Sequence, residues 1–224
     1  MRAMKPLQAA PSLVDQVHES LLAAIADGHL RAGDRIVQEQ LARELGVSRQ
    51  PVQHALTLLR KEGVLSDAPG RGLQVAPLDL AHVQHMYEVR AVIEGLAFRL
   101  ASAHCDPAAL REGQALLSAG RAAVASGSVH AMIAADMAFH DFVYRLAANP
   151  LIAPAMETHW TQTRRVMGEV LMRNDKPRDI WDQHEALLNT MAAGDGDGAE
   201  RQARQHISEA AAIMVQGLSQ ASAA

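Results

Sequence analysis

The chain has 224 residues with a formal net charge of −4, and 49% of its residues are hydrophobic. These values exclude an intrinsically disordered chain, which combines few apolar residues with a high net charge, and the abundance of alanine and leucine favours a mostly helical fold. A single cysteine, Cys105, excludes an internal disulfide framework, and no apolar run approaches the roughly 20 residues that cross a bilayer, so we expect a cytoplasmic protein with no membrane partner.

Basic and acidic side chains are divided unevenly between two segments. Residues 1–77 carry nine basic and eight acidic side chains, whereas residues 78–224 carry twelve basic and seventeen acidic ones, together with eight of the eleven histidines. Because neither segment is strongly basic, any contact with nucleic acid has to come from a local patch and not from the charge of the whole molecule.

The first 77 residues carry the pattern of a winged helix-turn-helix domain. Apolar side chains at helical spacing predict three helices, over residues 12–27, 38–45 and 49–62. A Gly-Val-Ser turn joins the second helix to the third, and Ser48 is a suitable N-cap for the third. Two strand-like runs, residues 63–66 and 73–76, flank a Pro-Gly-Arg-Gly turn and predict a hairpin.

The third predicted helix has the features of a helix that reads the major groove of DNA. Its polar face carries Arg49, Gln50 and Gln53, whose side chains can form hydrogen bonds with phosphates and base edges. The hairpin tip, residues 70–72, presents one arginine between two glycines that permit a close approach to DNA. The alternative is an amphipathic helix with a solvated polar face, but helix, turn and hairpin together favour DNA binding.

Beyond a hinge at residues 77–79, the pattern is helical throughout. Six stretches of helical periodicity, separated by breaks rich in Gly, Pro and Asp, span residues 79–104, 107–126, 129–147, 151–172, 178–193 and 197–219. Because no strand pattern intervenes, we predict an antiparallel bundle of six helices. The chain is therefore expected to be mostly α, with one domain over residues 1–77 and a second over residues 78–224.

Four residues of the helical segment have a spacing suited to a mononuclear metal site. Asp136 and His140 stand four residues apart on one face of a helix, while His184 and His206 lie on two later helices. A carboxylate with three imidazoles can hold Zn²⁺, Ni²⁺ or a similar ion and can leave coordination positions open. Since lone histidines are more often surface or core residues, the spacing by itself leaves a purely structural role open.

Three further residues of this segment are candidates for binding a small ligand. Arg90 can bind a carboxylate through two parallel N–H bonds, or it can form a structural ion pair with Glu94, four residues later on the same helix. Asn149, which precedes Pro150, either lines the same cavity or only ends a helix.

Several motifs of the first segment follow one known pattern in register. They include the run over residues 25–36, the LARELGVSRQPV run over residues 41–52 and the Arg-Gly pair at the hairpin tip. In these motifs the chain resembles the GntR-type transcriptional regulators. The resemblance implies DNA contacts at Arg35, Arg49 and the wing residues Gly70, Arg71 and Gly72, to which the polar face of the third helix adds Ser48, Gln50 and Gln53. Where relatives commonly have Arg-Glu, this chain has Gln53-His54, which puts the usual operator sequence of the family in doubt.

The helical segment also follows a family pattern, in DMAFH over residues 136–140, in residues 148–151, and around His184 and His206. Here the chain resembles the ligand-binding bundle of the FadR branch of the GntR regulators, in its shorter, VanR-like version with six helices. The resemblance implies that Asp136, His140, His184 and His206 bind a divalent metal, zinc or nickel. Arg90 and Glu94 match the Arg-x-x-x-Glu pattern of the family.

Taken together, these resemblances imply a DNA-binding transcriptional regulator. The expected form is a homodimer on a palindromic operator, acting as a repressor that a small organic acid releases after binding in the metal-containing bundle. Two alternatives stay open. One is a metal-dependent helical-bundle enzyme, in which the metal activates water. The other is a regulator that senses the metal itself.

Overall fold

The computed structural model describes residues 12–172 and 180–223, apart from the side chains of Thr158 and of residues 221–223. The first part of the chain forms α1 (Leu13–Ala26), β1 (Arg35–Ile36), α2 (Gln38–Glu44), α3 (Arg49–Lys61), β2 (Leu65–Asp67) and β3 (Leu73–Val75). The second part forms α4 (Leu80–Ser102), α5 (Pro107–Ser126), α6 (Val129–Leu146), α7 (Ile152–Leu171), α8 (Ile180–Ala192) and α9 (Gly196–Ala223). The described chain divides into two compact units, one with residues 12–25 and 30–77 and the other with residues 26–29 and 78–223. Among the described residues, no helix is both long enough and apolar enough to span a membrane.

The first unit is a three-helix domain with a small antiparallel sheet. The three predicted helices and the hairpin are confirmed, with ends close to the predicted positions. The strand order is β1-β3-β2, with Leu65 opposite Val75 and Arg35 opposite Gln74. The sequence pattern did not predict β1, because two residues are too few to show an alternation of apolar and polar side chains. This is the winged helix-turn-helix topology.

The apolar stripe of α3 anchors the helix in this unit. Val52, Ala55 and Leu59 are completely buried in a cluster that also contains Leu22 of α1. Their spacing leaves the opposite face of α3 to solvent. Ser48 occupies the N-cap position in extended backbone conformation, but its side chain makes no capping hydrogen bond, so the predicted cap is correct in position only.

The described part of the second unit consists of helices α4–α9. The carboxylates of Asp79 and Asp106 and the hydroxyl of Ser128 cap α4, α5 and α6 by accepting hydrogen bonds from backbone N–H groups of the first turn. These caps lie at three of the predicted breaks. The predicted break between the fourth and fifth helical stretches, at residues 176–177, falls outside the described residues. Helix α9 continues to Ala223, beyond the predicted end.

The core of the second unit surrounds Phe139 on α6. Phe139 is completely buried, and its ring stacks on that of His184 with a centroid distance of 4.4 Å. Trp181 on α8 packs edge-on against Phe139 and also against α5, where a Cβ on Gly120 would lie 2.1 Å from the indole. The glycine therefore permits the close contact between α5 and α8. This packing places the histidines of α6 and α8 next to each other.

Candidate functional site

Three residues predicted to contact DNA lie on the exposed face of α3. Arg49, Gln50 and Gln53 all have exposed side chains. The Nη2 atom of Arg49 lies 2.5 Å from Oε1 of Glu39 on α2, and the two side chains are 67% and 61% exposed. Ion pairs this exposed to water contribute little to stability, so the guanidinium can exchange Glu39 for a phosphate or a base edge. Gln38 donates a hydrogen bond of 2.9 Å to the backbone oxygen of Arg49, which connects α2 to the start of α3.

The loop between β2 and β3 forms the predicted wing. Gly70 and Gly72 have φ angles of +91° and +96°, a conformation that glycine adopts without steric cost. Arg71 between them is exposed. Arg35 on β1 donates from Nη2 to the backbone oxygen of Pro69 at 2.7 Å, so the structure brings both arginines to this wing.

The three histidines predicted to bind a metal converge inside the second unit. One ring nitrogen from each of His140, His184 and His206 lies within 4.8 Å of the others, and all three side chains are buried. The Nε2 atoms of His184 and His206 are 3.2 Å apart. Asp136, the fourth predicted ligand, has a carboxylate oxygen 3.6 Å from Nε2 of His184. The structure therefore brings all four residues together. The carboxylate of Asp136 lies slightly farther from Nε2 of His184 than Nε2 of His206 does.

Two residues that the sequence reasoning did not connect with the cluster orient its imidazoles. The Nδ1 atom of His140 contacts Oε2 of Glu94, and Nδ1 of His206 lies 2.7 Å from Oε1 of Gln183. Acceptors at Nδ1 favour the tautomer that leaves the Nε2 lone pair free, as second-shell partners of metal-binding histidines do. Gln183 directly precedes His184, but nothing in the sequence pairs it with a histidine on another helix.

Glu94 and Arg90 form the structural pair that the sequence offered as one interpretation. The Oε1 atom of Glu94 accepts from Nε of Arg90 at 2.8 Å, and the side chains are 0% and 3% exposed. Nη1 of Arg90 donates to Oγ1 of Thr163 at 3.1 Å, and the guanidinium lies over the rings of Tyr87 and Trp160. The pair does not exclude ligand binding, because Arg90 also lines the cavity beside the histidines.

Burial and charged neighbours change the pKa values of these groups. Burial raises the pKa of Glu94, but Arg90 and His140 outweigh it and hold the pKa at about 2. Burial acts to lower the pKa of His140, and Glu94 outweighs it, so the net change is upward. For His206, burial and the nearby His140 lower the pKa to about 3, and burial with its two histidine neighbours lowers the pKa of His184 well below its ordinary value. At neutral pH, His184 and His206 are therefore uncharged, as histidines must be to bind a metal.

A cavity of about 70 Å³ adjoins the cluster, and Arg90, Asp136, His140 and His206 belong to its lining. Since one water molecule needs roughly 10–15 Å³ by this measure, the cavity has room for about five to seven water-sized groups. Asn149 is not among the described residues that line the cavity. Its side-chain oxygen accepts from the backbone N–H of Leu151 at 3.1 Å, which supports the interpretation that Asn149 belongs to a helix junction.

The donor set fits a divalent metal. Two nitrogen ligands that are about 2.0–2.1 Å from one ion lie roughly 2.8–3.4 Å from each other, the lower values for octahedral and the upper values for tetrahedral angles. The separation of 3.2 Å between Nε2 of His184 and Nε2 of His206 falls in this interval. His140 can supply a third Nε2 atom, and Asp136 can supply an oxygen after a small side-chain movement. The same contact between His184 and His206 also fits a hydrogen bond between neutral rings, so the geometry permits a metal and does not require one.

Matches to family models identify both halves of the chain. Residues 13–75 match the model described as "Bacterial regulatory proteins, gntR family", and residues 85–209, more than half of the chain, match the FCD domain. The chain belongs to the GntR family and carries an FCD domain. The resemblance to the GntR regulators found in the sequence motifs is thereby confirmed, and the two units are an N-terminal winged helix-turn-helix and a C-terminal helical FCD domain.

Three similar proteins illustrate the relationship. An uncharacterized HTH-type transcriptional regulator of Mycobacterium tuberculosis is 34% identical over 103 residues, a match that spans 46% of this chain and only 42% of that relative. The HTH-type transcriptional regulator McbR of Escherichia coli is 26% identical over a match that covers 92% of this chain and 94% of McbR. The solved structure of McbR superposes with a TM-score of 0.81 at 25% identity, and the superposition covers 92% of this chain and 98% of the McbR chain. A probable D-xylose utilization operon transcriptional repressor of Paenarthrobacter nicotinovorans is 25% identical over 88% of this chain and 86% of its own. All three relatives are named as regulators and none as an enzyme, so they give no support to the enzyme alternative.

Proposed function

We propose that this GntR-family protein is a transcriptional repressor of the FadR branch, which binds a palindromic operator as a homodimer and releases it when a small carboxylic acid binds a metal-containing cavity. One observation carries the proposal. A single chain combines an exposed polar face on α3 with a buried three-histidine cluster that adjoins a cavity. The Paenarthrobacter relative, which is named as a probable repressor, supports the repressor assignment.

The winged domain would bind the operator. Residues at the N-terminal end of a recognition helix contact base edges in the major groove, which assigns Ser48, Arg49, Gln50 and Gln53 to this contact. Arg71 at the wing would reach the backbone or the minor groove. Two copies of α3 in a dimer would enter successive major grooves, about one helical turn apart, so the operator should be an inverted repeat. A protein with this partner would act in the cytoplasm.

The histidine cluster would hold zinc or nickel through His140, His184, His206 and the carboxylate of Asp136. When bound, the ion would supply a Lewis-acid site with open positions for a carboxylate. Side chains of the protein itself orient the imidazole ligands. Glu94 and Gln183 keep two imidazoles in the tautomer with a free Nε2.

The cavity would take the acid between the cluster and Arg90. The guanidinium of Arg90 is fixed by Glu94 and Thr163, so an acid that reaches it would meet a preorganised charge. Binding in the FCD domain would alter operator affinity to the extent that the acid binds the DNA-free form more tightly than the DNA-bound form.

Elemental analysis of the purified full-length protein tests the metal. We expect about one divalent ion per chain, lost in the His140→Ala/His184→Ala variant and kept in a control variant, His82→Ala/His85→Ala, which removes two exposed histidines of α4. If neither the wild type nor the control takes up metal after incubation with zinc and nickel, the metal site is refuted.

Selection of bound duplexes from a random DNA pool tests the operator. An enriched inverted repeat supports a dimer with two recognition helices, whereas a single unrepeated motif contradicts it. Operator affinity measured with and without metal then separates two kinds of regulator. If affinity follows the metal alone, and no carboxylic acid changes it, the protein is a metal sensor and the acid part of the proposal is wrong.

A further inference from the structure

The cavity beside the histidine cluster has one polar end and one apolar end. Of the fifteen described residues that line it, ten have apolar side chains. Along α6, Met132 lies two helical turns before His140, and along α9, Met214 lies two turns after His206. Eight residues of helix rise about 12 Å. On each of these two helices, a histidine and a methionine that line the cavity are therefore separated by about 12 Å along the helix axis.

The apolar end is a continuous surface. Met132, Met167 and Leu171 belong to one packed cluster, and Met167 also packs against the neighbouring cluster that contains Met214. These four side chains all line the cavity. None of them offers a strong hydrogen-bond donor or acceptor, and methionine side chains adapt easily to ligands of different shape. An apolar chain gains free energy at this end, whereas a hydroxyl group placed there loses its hydrogen bonds to water without replacement.

The polar end already uses much of its hydrogen-bonding capacity. The Nε and Nη1 atoms of Arg90 donate to Glu94 and Thr163, and Nδ1 of His206 is paired with Gln183. A ligand thus finds one concentrated polar region, made of His140, His206, the carboxylate of Asp136, the guanidinium of Arg90 and the hydroxyl of Tyr87. This arrangement suits a single charged head group and not polar groups spread along a chain.

We infer that the effector is a small aliphatic monocarboxylate with its carboxylate at the histidine end and an unsubstituted chain against Met132 and Met214, and that sugar acids and other polyhydroxylated acids are excluded. The inference rests on the proposed function, since it assumes that the cavity takes an acid at a metal-loaded site. The volume of about 70 Å³ sets the size, because it accommodates about five to seven water-sized groups. Straight or branched acids of three to five carbons, which have five to seven non-hydrogen atoms, match it.

The test uses a pair of acids that differ in one group. Pentanoate and 4-hydroxybutanoate have the same number of non-hydrogen atoms, and a terminal methyl in the first replaces a terminal hydroxyl in the second. Calorimetric titration of the zinc-loaded full-length protein should show that pentanoate binds at least about tenfold more tightly, because a buried hydroxyl without a partner is costly. Gluconate should give no measurable heat of binding.

A variant checks that the preference arises at the apolar end. Met132→Gln places a hydrogen-bonding side chain of similar size in the wall, and it should reduce the ratio of the two dissociation constants severalfold. The matched control, Met172→Gln, makes the same change at an exposed methionine that is not among the lining residues, and it should leave the ratio unchanged.

The outcomes separate this inference from the proposed function. If 4-hydroxybutanoate or gluconate binds as tightly as pentanoate, the apolar assignment is wrong while an acid-binding regulator remains supported. If Met132→Gln leaves the ratio unchanged, the preference does not come from this wall, and the assignment is equally overturned. If none of the three acids binds and none changes operator affinity, both this inference and the acid part of the proposed function fail.

Discussion

Replacement of Glu94 by glutamine should strongly destabilise the FCD domain. Glu94 is completely buried, and its two carboxylate oxygens contact Arg90 and His140. Glutamine has nearly the same shape, so the variant leaves no large cavity. It removes the negative charge, however, and leaves the guanidinium of Arg90 buried at 3% exposure without its ion-pair partner.

The loss of stability in Glu94→Gln can be obtained both from the cost of breaking a buried ion pair and from the pKa of Glu94. Removing one partner of a buried ion pair costs about 3–5 kcal/mol, because the remaining charge is unpaired in a poorly solvated site. The pKa of Glu94 gives a second value for this free energy. The pKa falls from the ordinary 4.5 to about 2. Because each tenfold change in acidity corresponds to about 1.4 kcal/mol, the decrease corresponds to about 3 kcal/mol. We therefore expect the free energy of unfolding to decrease by about 3 kcal/mol at pH 7.

Urea denaturation followed by tryptophan fluorescence is the appropriate assay. Both tryptophans of the chain, Trp160 and Trp181, lie in the FCD domain, so the signal reports on that domain alone. A chelator must be present, because a bound metal would stabilise the folded state by mass action. Glu88→Gln, at an exposed position on the same helix, is the matched control and should change the stability by less than about 0.5 kcal/mol.

The dependence on pH and a second substitution sharpen the test. A carboxylate whose pKa is lower in the folded chain stabilises fully above its unfolded pKa, near 4.5, and the stabilisation is lost as the pH falls toward 2. The difference between Glu94→Gln and the wild type should therefore narrow below about pH 4.5. Adding Arg90→Met should recover part of the loss, since it removes the unpaired charge. If Glu94→Gln is as stable as Glu88→Gln at pH 7, the pair makes no net contribution and the reasoning is wrong.

Three further predictions concern the recognition helix, the metal cluster and the cysteine. Arg49→Ala should weaken operator binding by about 1–3 kcal/mol if the side chain reads a base. Glu39→Gln should strengthen operator binding by up to about 1 kcal/mol, because the substitution removes the ion pair that competes for Arg49. Unchanged operator affinities in fluorescence anisotropy titrations would contradict both expectations. His184→Ala should lower the metal content with the helical circular dichroism retained, and full occupancy would show that it is not a ligand. Burial, assisted by Asp106, raises the pKa of the Cys105 thiol, so iodoacetamide should alkylate it more slowly than free cysteine at pH 8, and an equal rate would contradict this expectation.

Local features of the sequence were sufficient to predict the three helices and the β2–β3 hairpin of the DNA-binding unit. Apolar residues at three- and four-residue spacing define the buried face of α3 whatever its neighbours are, and caps such as Asp106 act within one helical turn. The spacing of Asp136 and His140 similarly places both on one face of α6. Only very short elements such as β1 were not predicted, because two residues cannot show a periodic pattern of apolar and polar side chains.

Contacts between helices decided the chemistry of the site. The sequence pairs Glu94 with Arg90 through helical spacing, but only packing of α4 against α6 brings Glu94 to His140, and only packing of α8 against α9 brings Gln183 to His206. Such contacts depend on the crossing of helices distant in sequence, which no local pattern encodes. The sequence therefore identified candidate residues for binding a metal and an acid. The tertiary structure decided how the imidazoles are oriented, that Arg90 is already paired, and that the far end of the cavity is apolar.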